Sequence, residues 1–125
     1  MSDPSLTYEK LVQIDEALQR VVRRSAGIES HDDFLSSDQG LDMLDGIGMM
    51  LIAIGENLKK IDYETGGALL KQYPSVDWKG AKGMRDILSH HYFDLDAAEV
   101  FTICKRDIPP LVEVVKVMIE DLNVS

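Results

Sequence analysis

Hydrophobic residues recur along this chain every three to four positions, the spacing that predicts amphipathic helices. The first stripe predicts a helix over about residues 5–26, which Gly27 ends. A longer stripe predicts a second helix over about residues 38–60. The centre of that helix, residues 47–55, is apolar on nearly every side. We therefore expect this centre to be buried all round, or to be buried against a second chain.

The second half of the chain carries further helix signals. A short helical piece over residues 63–72 is interrupted by two adjacent glycines, and a helix over about residues 77–91 follows. Asp96 and Glu99 have the spacing of a capping box. Residues 107–110 open the last helix, where proline is tolerated because first-turn N–H groups lack partners. Without any strand pattern, the chain is predicted to be an all-α antiparallel bundle of about four to five helices.

Composition bounds the class of protein. A chain of 125 residues, 45% of them hydrophobic, is predicted to form one domain over residues 1–125 rather than a disordered segment. No apolar run approaches the ~20 residues needed to cross a bilayer, and the first residues lack a signal-peptide profile. Cys104 is the only cysteine, which excludes an internal disulfide and favours a reducing cytoplasm. We interpret it as a packing residue, and we expect no bound metal or cofactor.

The charge balance argues against a general polyanion-binding surface. The chain has 13 basic and 22 acidic residues, a net charge of −9. Any site for a polyanion must gather positive charge locally, and Lys79, Lys82 and Arg85 are the candidates. Acidity of this kind also fits a basic partner protein. Three further cations end the first helix, where they suit either the helix dipole or an RNA contact: Arg20, Arg23 and Arg24.

Candidate chemistry lies in residues 84–93, which read MRDILSHHYF. On a straight α-helix, Arg85 and His90 flank the polar face and point roughly 140° apart. A histidine transfers protons near neutral pH, and an arginine binds phosphate through its planar fork. Together they suffice for metal-free RNA cleavage, in which a 2′-hydroxyl attacks the adjacent phosphorus. Asp86, four residues before His90, can orient the imidazole. The alternative is an ordinary solvated face carrying one arginine and one histidine.

The same stretch resembles the HepT type of HEPN-domain proteins. Arg85, His90 and Tyr92 reproduce its R-x4-H-x-Y motif, and residues 77–90, DWKGAKGMRDILSH, are similar to the segment around it. Two further landmarks of the family follow the same order along the chain: I-G-E at residues 54–56 and D-I-P-P-L at residues 107–111. The similarity extends over residues 6–122. Two positions depart from the family pattern, with aspartate at residue 86 where asparagine is common and histidine at residue 91 where glycine is frequent.

The resemblance implies a single HEPN-like domain that forms a homodimer, with the two motifs facing each other across a cleft near Glu56. It implies a metal-independent endoribonuclease, the toxin of a toxin–antitoxin pair, with Arg85 and His90 catalytic and Asp86 supporting. It also implies that Tyr92 accepts AMP from a partner minimal nucleotidyltransferase, which acts as the antitoxin. The alternative is a non-catalytic HEPN module that binds such a nucleotidyltransferase.

Overall fold

A computed structural model describes residues 4–88 and 95–123 of the chain. Within these ranges the backbone is helical and contains no strand, so the predicted all-α class is confirmed. No helix in the described ranges has the length and apolar character needed to cross a membrane. The α-helices are α1 (Pro4–Ser25), α2 (Asp32–Leu35), α3 (Asp38–Glu64), α4 (Ala68–Lys71), α5 (Trp78–Lys82), α6 (Ala97–Thr102) and α7 (Ile108–Asn123).

The two longest helices, α1 and α3, pack antiparallel. Lys10 near the start of α1 pairs with Glu64 at the end of α3. Arg24 near the end of α1 lies over Gly46 near the start of α3. The facing stripes of both helices are almost completely buried, as their periodicity predicted: Leu11, Ile14, Leu18 and Val21 in α1, and Leu44, Ile47, Leu51, Ile54 and Leu58 in α3. Val22 and Leu41, which the same repeats also placed on the buried faces, are each 41% exposed.

The end of α3 differs from the prediction. The helix continues to Glu64, beyond the predicted end at residue 60, and stops where Gly66 and Gly67 adopt φ angles of 62° and 79°. This left-handed backbone suits glycine because a Cβ atom would be strained there. The helical piece predicted over residues 63–72 is therefore divided between the last turn of α3 and the short helix α4.

The last two predicted helices form one continuous helical run. Asp96 caps α6 by accepting a hydrogen bond from the Glu99 backbone N–H, as predicted. A π-helical turn, Ile103–Asp107, then joins α6 directly to α7. Two prolines, Pro109 and Pro110, follow this turn and cannot donate backbone hydrogen bonds to the preceding carbonyls. The π-helical turn is wider than an α-helical turn and accommodates the missing hydrogen bonds. The chain therefore stays helical from α6 through α7, where two separate helices were expected.

This run packs antiparallel against α1. Lys105 in the π-helical turn donates a 2.8 Å hydrogen bond to the carbonyl of Ser25, the last residue of α1. Cys104, beside it, is buried, as its interpretation as a packing residue required. Burial raises the pKa of the Cys104 thiol to about 11, so the thiol is protonated at neutral pH.

The segment that carries the candidate chemistry does not form the single α-helix predicted over residues 77–91. Asp77 caps α5, which ends at Lys82, and a 3-10 helix over Gly83–Leu88 follows. Gly80 and Gly83 weaken a regular helix by about 1 kcal/mol each relative to alanine, and 3-10 turns commonly end α-helices. The angle of roughly 140° between the Arg85 and His90 side chains assumes a straight α-helix, so it does not apply to this backbone.

Candidate active site

We call residues 77–93 the motif segment. The backbone of its described part, α5 and the 3-10 helix, lies directly on α3. A Cβ atom added at Gly55 would lie 2.8 Å from the backbone nitrogen of Arg85 and 3.1 Å from the carbonyl oxygen of Lys82. Any larger residue at position 55 would force the two backbones apart. The absence of a side chain at Gly55 therefore permits close approach of the two backbones. Gly55 thus sets the distance between the backbone of Arg85 and the backbone of α3.

A second glycine of α3 contacts the chain just after the motif segment. A Cβ atom at Gly48 would collide with the side chain of Leu95, the first described residue after position 88. Gly48 and Gly55 are seven residues, about two turns, apart and so lie on the same side of α3. The chain therefore reaches the same face of α3 just before and just after the undescribed residues.

The guanidinium of Arg85 lies between two carboxylates. Its Nη1 atom donates to Oε2 of Glu56, the residue after Gly55, at 3.2 Å, and its Nε atom lies 3.7 Å from Oδ1 of Asp86. The Arg85 side chain is 36% exposed and that of Glu56 is 42% exposed. Solvent screens such a pair, which contributes about 0–1 kcal/mol to stability. Its importance is the placement of the guanidinium at the surface, where a phosphate can reach it.

A neighbouring ion pair also joins the motif segment to α3. Nζ of Lys82 lies 2.7 Å from Oδ2 of Asp62, and both side chains are largely shielded from solvent. Two of the three cations predicted to gather a polyanion are therefore paired with acidic residues of α3. Lys79, the third, is exposed. Positive and negative charges are nearly balanced along this edge of the protein.

The predicted site residues divide between described and undescribed parts of the chain. Arg85 and Asp86 are described, whereas His90 and Tyr92 lie outside the described residues. The predicted contact between Asp86 and His90 accordingly stays a prediction, and the described neighbour of Asp86 is Arg85. In the part of the chain with described side chains, no group of three or more His, Cys, Asp or Glu residues is arranged to hold a metal ion.

The contact between Glu56 and Arg85 goes beyond what the sequence predicts. The sequence places Glu56 near the expected cleft but indicates no partner for it. The signal was the I-G-E triplet, in which the glycine permits backbone contact and the glutamate follows immediately. A pairing across 29 residues depends on how two helices are rotated about their axes, which periodicity alone does not determine.

A larger concave surface lies behind the motif segment. This groove of about 530 Å³ separates the segment from α6 and α7, and its lining includes Asp77, Met84, Glu99 and Arg106. Neither Arg85 nor Glu56 lines it. The candidate site is therefore the exposed edge where the motif segment meets α3, and not this groove.

Comparison with known proteins identifies the family. The sequence model described as "Ribonuclease HepT-like" matches residues 14–118. The chain belongs to the HepT-like ribonuclease family. The matched residues contain both the Arg85 motif and the Gly55–Glu56 step of α3, so the resemblance found in the sequence is confirmed. No solved structure matches the chain.

Relatives in Methanocaldococcus jannaschii carry names that include RNase. A protein named gamma-glutamylcyclotransferase and putative RNase is 30% identical over 95 residues, which are 76% of this chain and 40% of that protein. Two proteins named putative RNase are 36% and 31% identical over 73 residues. Each of these matches covers 58% of this chain, and 60% and 57% of the relative respectively. The chain thus spans less than two thirds of each of these relatives.

Proposed function

We propose that this protein is a metal-independent endoribonuclease in which Arg85 and His90 form the catalytic pair. Membership of the HepT-like ribonuclease family carries the proposal. The placement of Arg85 supports it, because α3 holds a phosphate-binding side chain at the surface next to an acidic residue. The names of the relatives point to the same class of activity.

The proposed reaction uses the substrate's own nucleophile. His90 removes the proton of a ribose 2′-hydroxyl, and the resulting oxygen attacks the adjacent phosphorus. The bond to the 5′-oxygen of the next nucleotide breaks, which yields a 2′,3′-cyclic phosphate and, after protonation, a 5′-hydroxyl. Arg85 stabilises the negative charge that accumulates on the phosphate oxygens in the transition state. This scheme needs no metal to activate water.

Cleavage should therefore continue in excess EDTA. Purified protein incubated with RNA in the chelator is expected to release fragments that end in a 2′,3′-cyclic phosphate, identified by mass spectrometry of short synthetic substrates. The end group is diagnostic because hydrolysis by an activated water would leave an open phosphate or a 3′-hydroxyl. Loss of cleavage in EDTA, or fragments with 3′-hydroxyl ends, would contradict the proposed chemistry.

We also propose that the protein is the toxin of a pair whose antitoxin is a minimal nucleotidyltransferase that modifies Tyr92. In this reaction the phenol oxygen attacks the α-phosphorus of ATP, and pyrophosphate leaves. A bulky anion attached seven residues from Arg85 would compete with RNA for the guanidinium and neutralise its charge. The resemblance of residues 85–92 to the family motif supports Tyr92 as the acceptor.

Modification of Tyr92 can be measured directly. Co-production with a cognate nucleotidyltransferase is expected to add one or more AMP units to the peptide that contains Tyr92. Tyr92→Phe should abolish the mass increment and make the protein resistant to its antitoxin, because the phenol oxygen is the only acceptor. Tyr73→Phe is the matched control, since this hydroxyl donates to Asp121 near the end of α7 and lies outside the family motif. An increment that persists in Tyr92→Phe would assign the modification to another residue.

We further propose that two copies pair through the outer face of α3, the exposed side around Met49, Ile52 and Ala53. The apolar centre of α3 is not buried all round in the single chain, because the Met49 side chain is 63% exposed. Charged residues lie on either side of this outer face. Asp42 and Asp45 precede it, and Lys59 and Lys60 follow it, while Glu56 between them is paired with Arg85. In an antiparallel pair of α3 helices, the acidic end of one copy meets the basic end of the other.

Light scattering at micromolar concentration tests the assembly. Wild-type protein is expected to show about twice the 14.0 kDa chain mass. Met49→Asp should shift it to a monomer, because a carboxylate would be buried without a partner at the centre of the contact. Val117→Asp, at an exposed apolar residue of α7, is the control and should remain dimeric. A monomeric wild type would remove the composite cleft from the proposed mechanism.

The charge balance at the site favours one other function. Because Lys82 and Arg85 are already paired with carboxylates, the same surface suits a protein partner as well as RNA. A non-catalytic HEPN module that binds a nucleotidyltransferase is therefore the second candidate. It is distinguished by intact binding of the nucleotidyltransferase together with the absence of RNA cleavage under all the conditions above.

A further inference from the structure

We infer that Glu56 is a positioning residue for Arg85. Its carboxylate holds Nη1 of the guanidinium and so sets the direction in which the remaining N–H donors face a substrate phosphate. The inference rests on the proposed ribonuclease function, in which Arg85 is the group that contacts the phosphate. Glu56 itself acts through Arg85 and not on the substrate.

The backbone contact at Gly55 makes this pairing a built feature of the fold. A Cβ atom at Gly55 would lie 2.8 Å from the Arg85 nitrogen. The backbone of Arg85 is therefore packed tightly against α3, cannot move toward it and has little room to shift. Glu56 is the next residue on α3, and its side chain therefore starts at a fixed distance from that of Arg85. Two flexible side chains meet here because their backbones are held together.

Among the described residues, Glu56 and Asp86 supply the carboxylates beside the Arg85 guanidinium. The side chain is more than one third exposed, and an arginine at such a surface samples many rotamers unless a partner holds it. The Glu56 contact is within hydrogen-bonding distance, whereas the Asp86 oxygen is 3.7 Å from Nε, which is too long for a hydrogen bond. The Glu56 carboxylate is thus the stronger of the two described restraints.

The Glu56 carboxylate has a second effect that can be measured separately. Its negative charge opposes the approach of an RNA phosphate, whereas its hydrogen bond orients the guanidinium. Charge affects how tightly substrate binds and therefore KM, while orientation affects the transition state and therefore kcat. Glutamine keeps an oxygen that can accept from Nη1 but removes the charge. Alanine removes both.

Steady-state kinetics with a short RNA therefore distinguish positioning from charge alone. Glu56→Ala is expected to lower kcat by about 10- to 100-fold, because misplacement of a catalytic group by about 1 Å has effects of this order. Glu56→Gln is expected to keep kcat close to the wild-type value and to lower KM. Glu64→Ala is the matched control: it removes a glutamate of similar exposure on the same helix, which pairs with Lys10 in α1, and should change neither constant.

Nuclear magnetic resonance provides a measure that does not require activity. The Nε–Hε signal of Arg85, assigned by its loss in Arg85→Lys, should show restricted motion in the wild type and in Glu56→Gln. In Glu56→Ala the same signal should show fast motion of the Arg85 side chain. Thermal unfolding confirms that each variant is folded. If the wild type does not cleave RNA, the ribonuclease proposal fails, and the signal alone decides whether Glu56 holds Arg85. A Glu56→Ala protein with wild-type kcat, or with unchanged Arg85 motion, would overturn the inference.

Discussion

Removal of either proposed catalytic side chain is expected to abolish most of the proposed RNA cleavage. His90→Ala should lower the rate by about 10²–10⁴-fold, because it removes the group that accepts the 2′-hydroxyl proton. Arg85→Ala should lower it by about 10²–10³-fold, because the charge that develops on the phosphate loses its hydrogen-bond donors. Single-turnover cleavage of a labelled RNA measures both effects without interference from product release.

Two further variants make this comparison specific. Arg85→Lys should recover little activity, because a point charge replaces neither the bidentate fork nor the contact that Nη1 makes with Glu56. His31→Ala is the control for loss of a histidine, since His31 is half exposed beside α2 and distant in sequence from the motif. A His90→Ala protein that cuts as fast as the wild type would leave the non-catalytic binding module as the better account.

A single methyl group at position 55 is expected to damage both stability and activity. Gly55→Ala places a Cβ atom 2.8 Å from the Arg85 nitrogen and within 3.2 Å of two carbonyl oxygens, those of Lys82 and Ala81. These are backbone atoms, which cannot rotate away as the end of a side chain can. Overpacking of this kind costs about 1–3 kcal/mol, and it lifts Arg85 away from Glu56. We expect the melting temperature to fall by several degrees, and RNA cleavage to fall with it.

Gly83→Ala is the matched control for this substitution. Gly83 opens the 3-10 helix of the same motif segment, its φ of −74° is accessible to alanine, and nothing lies within 4 Å of an added Cβ. Its stability should be unchanged or higher by about 0.4–1 kcal/mol, because alanine restricts the unfolded chain. Thermal unfolding followed by circular dichroism compares the two variants. An equally stable Gly55→Ala protein would show that the contact between α3 and the motif segment is loose.

The sequence was most informative where a helix buries one continuous face. The apolar repeats of α1 and α3 predicted both helices and most of their buried residues, because a stripe such as Leu11 to Val21 has only one stable direction, toward the core. The cap at Asp96 was equally predictable, since the capping residue and the backbone N–H it satisfies are three positions apart. These features depend only on neighbours within the chain.

Two of the features that failed prediction, the 3-10 helix and the pairing at the site, depend on contacts distant in sequence, whereas the π-helical turn accompanies neighbouring prolines. The change from α-helix to 3-10 helix after Lys82 occurs where the backbone meets Gly55, and an apolar repeat contains no record of that contact. The π-helical turn before Pro109 kept α6 and α7 in one run where prolines suggested a break. For the site, the chain indicated Arg85 and Glu56 as residues of interest, but only the packing of two helices brought them together.

The pairing of the site's cations with acidic residues of α3 has a consequence for how RNA affinity responds to salt. Proteins that meet RNA with unpaired lysines and arginines release condensed counterions, and their affinity falls steeply as ionic strength rises. Here Lys82 and Arg85 already carry their own counterions as Asp62 and Glu56. Because Glu56 already offsets the charge of Arg85 and remains bound to it, an RNA phosphate that binds there is expected to release few condensed counterions. In the proposed ribonuclease, RNA affinity should therefore depend only weakly on salt concentration.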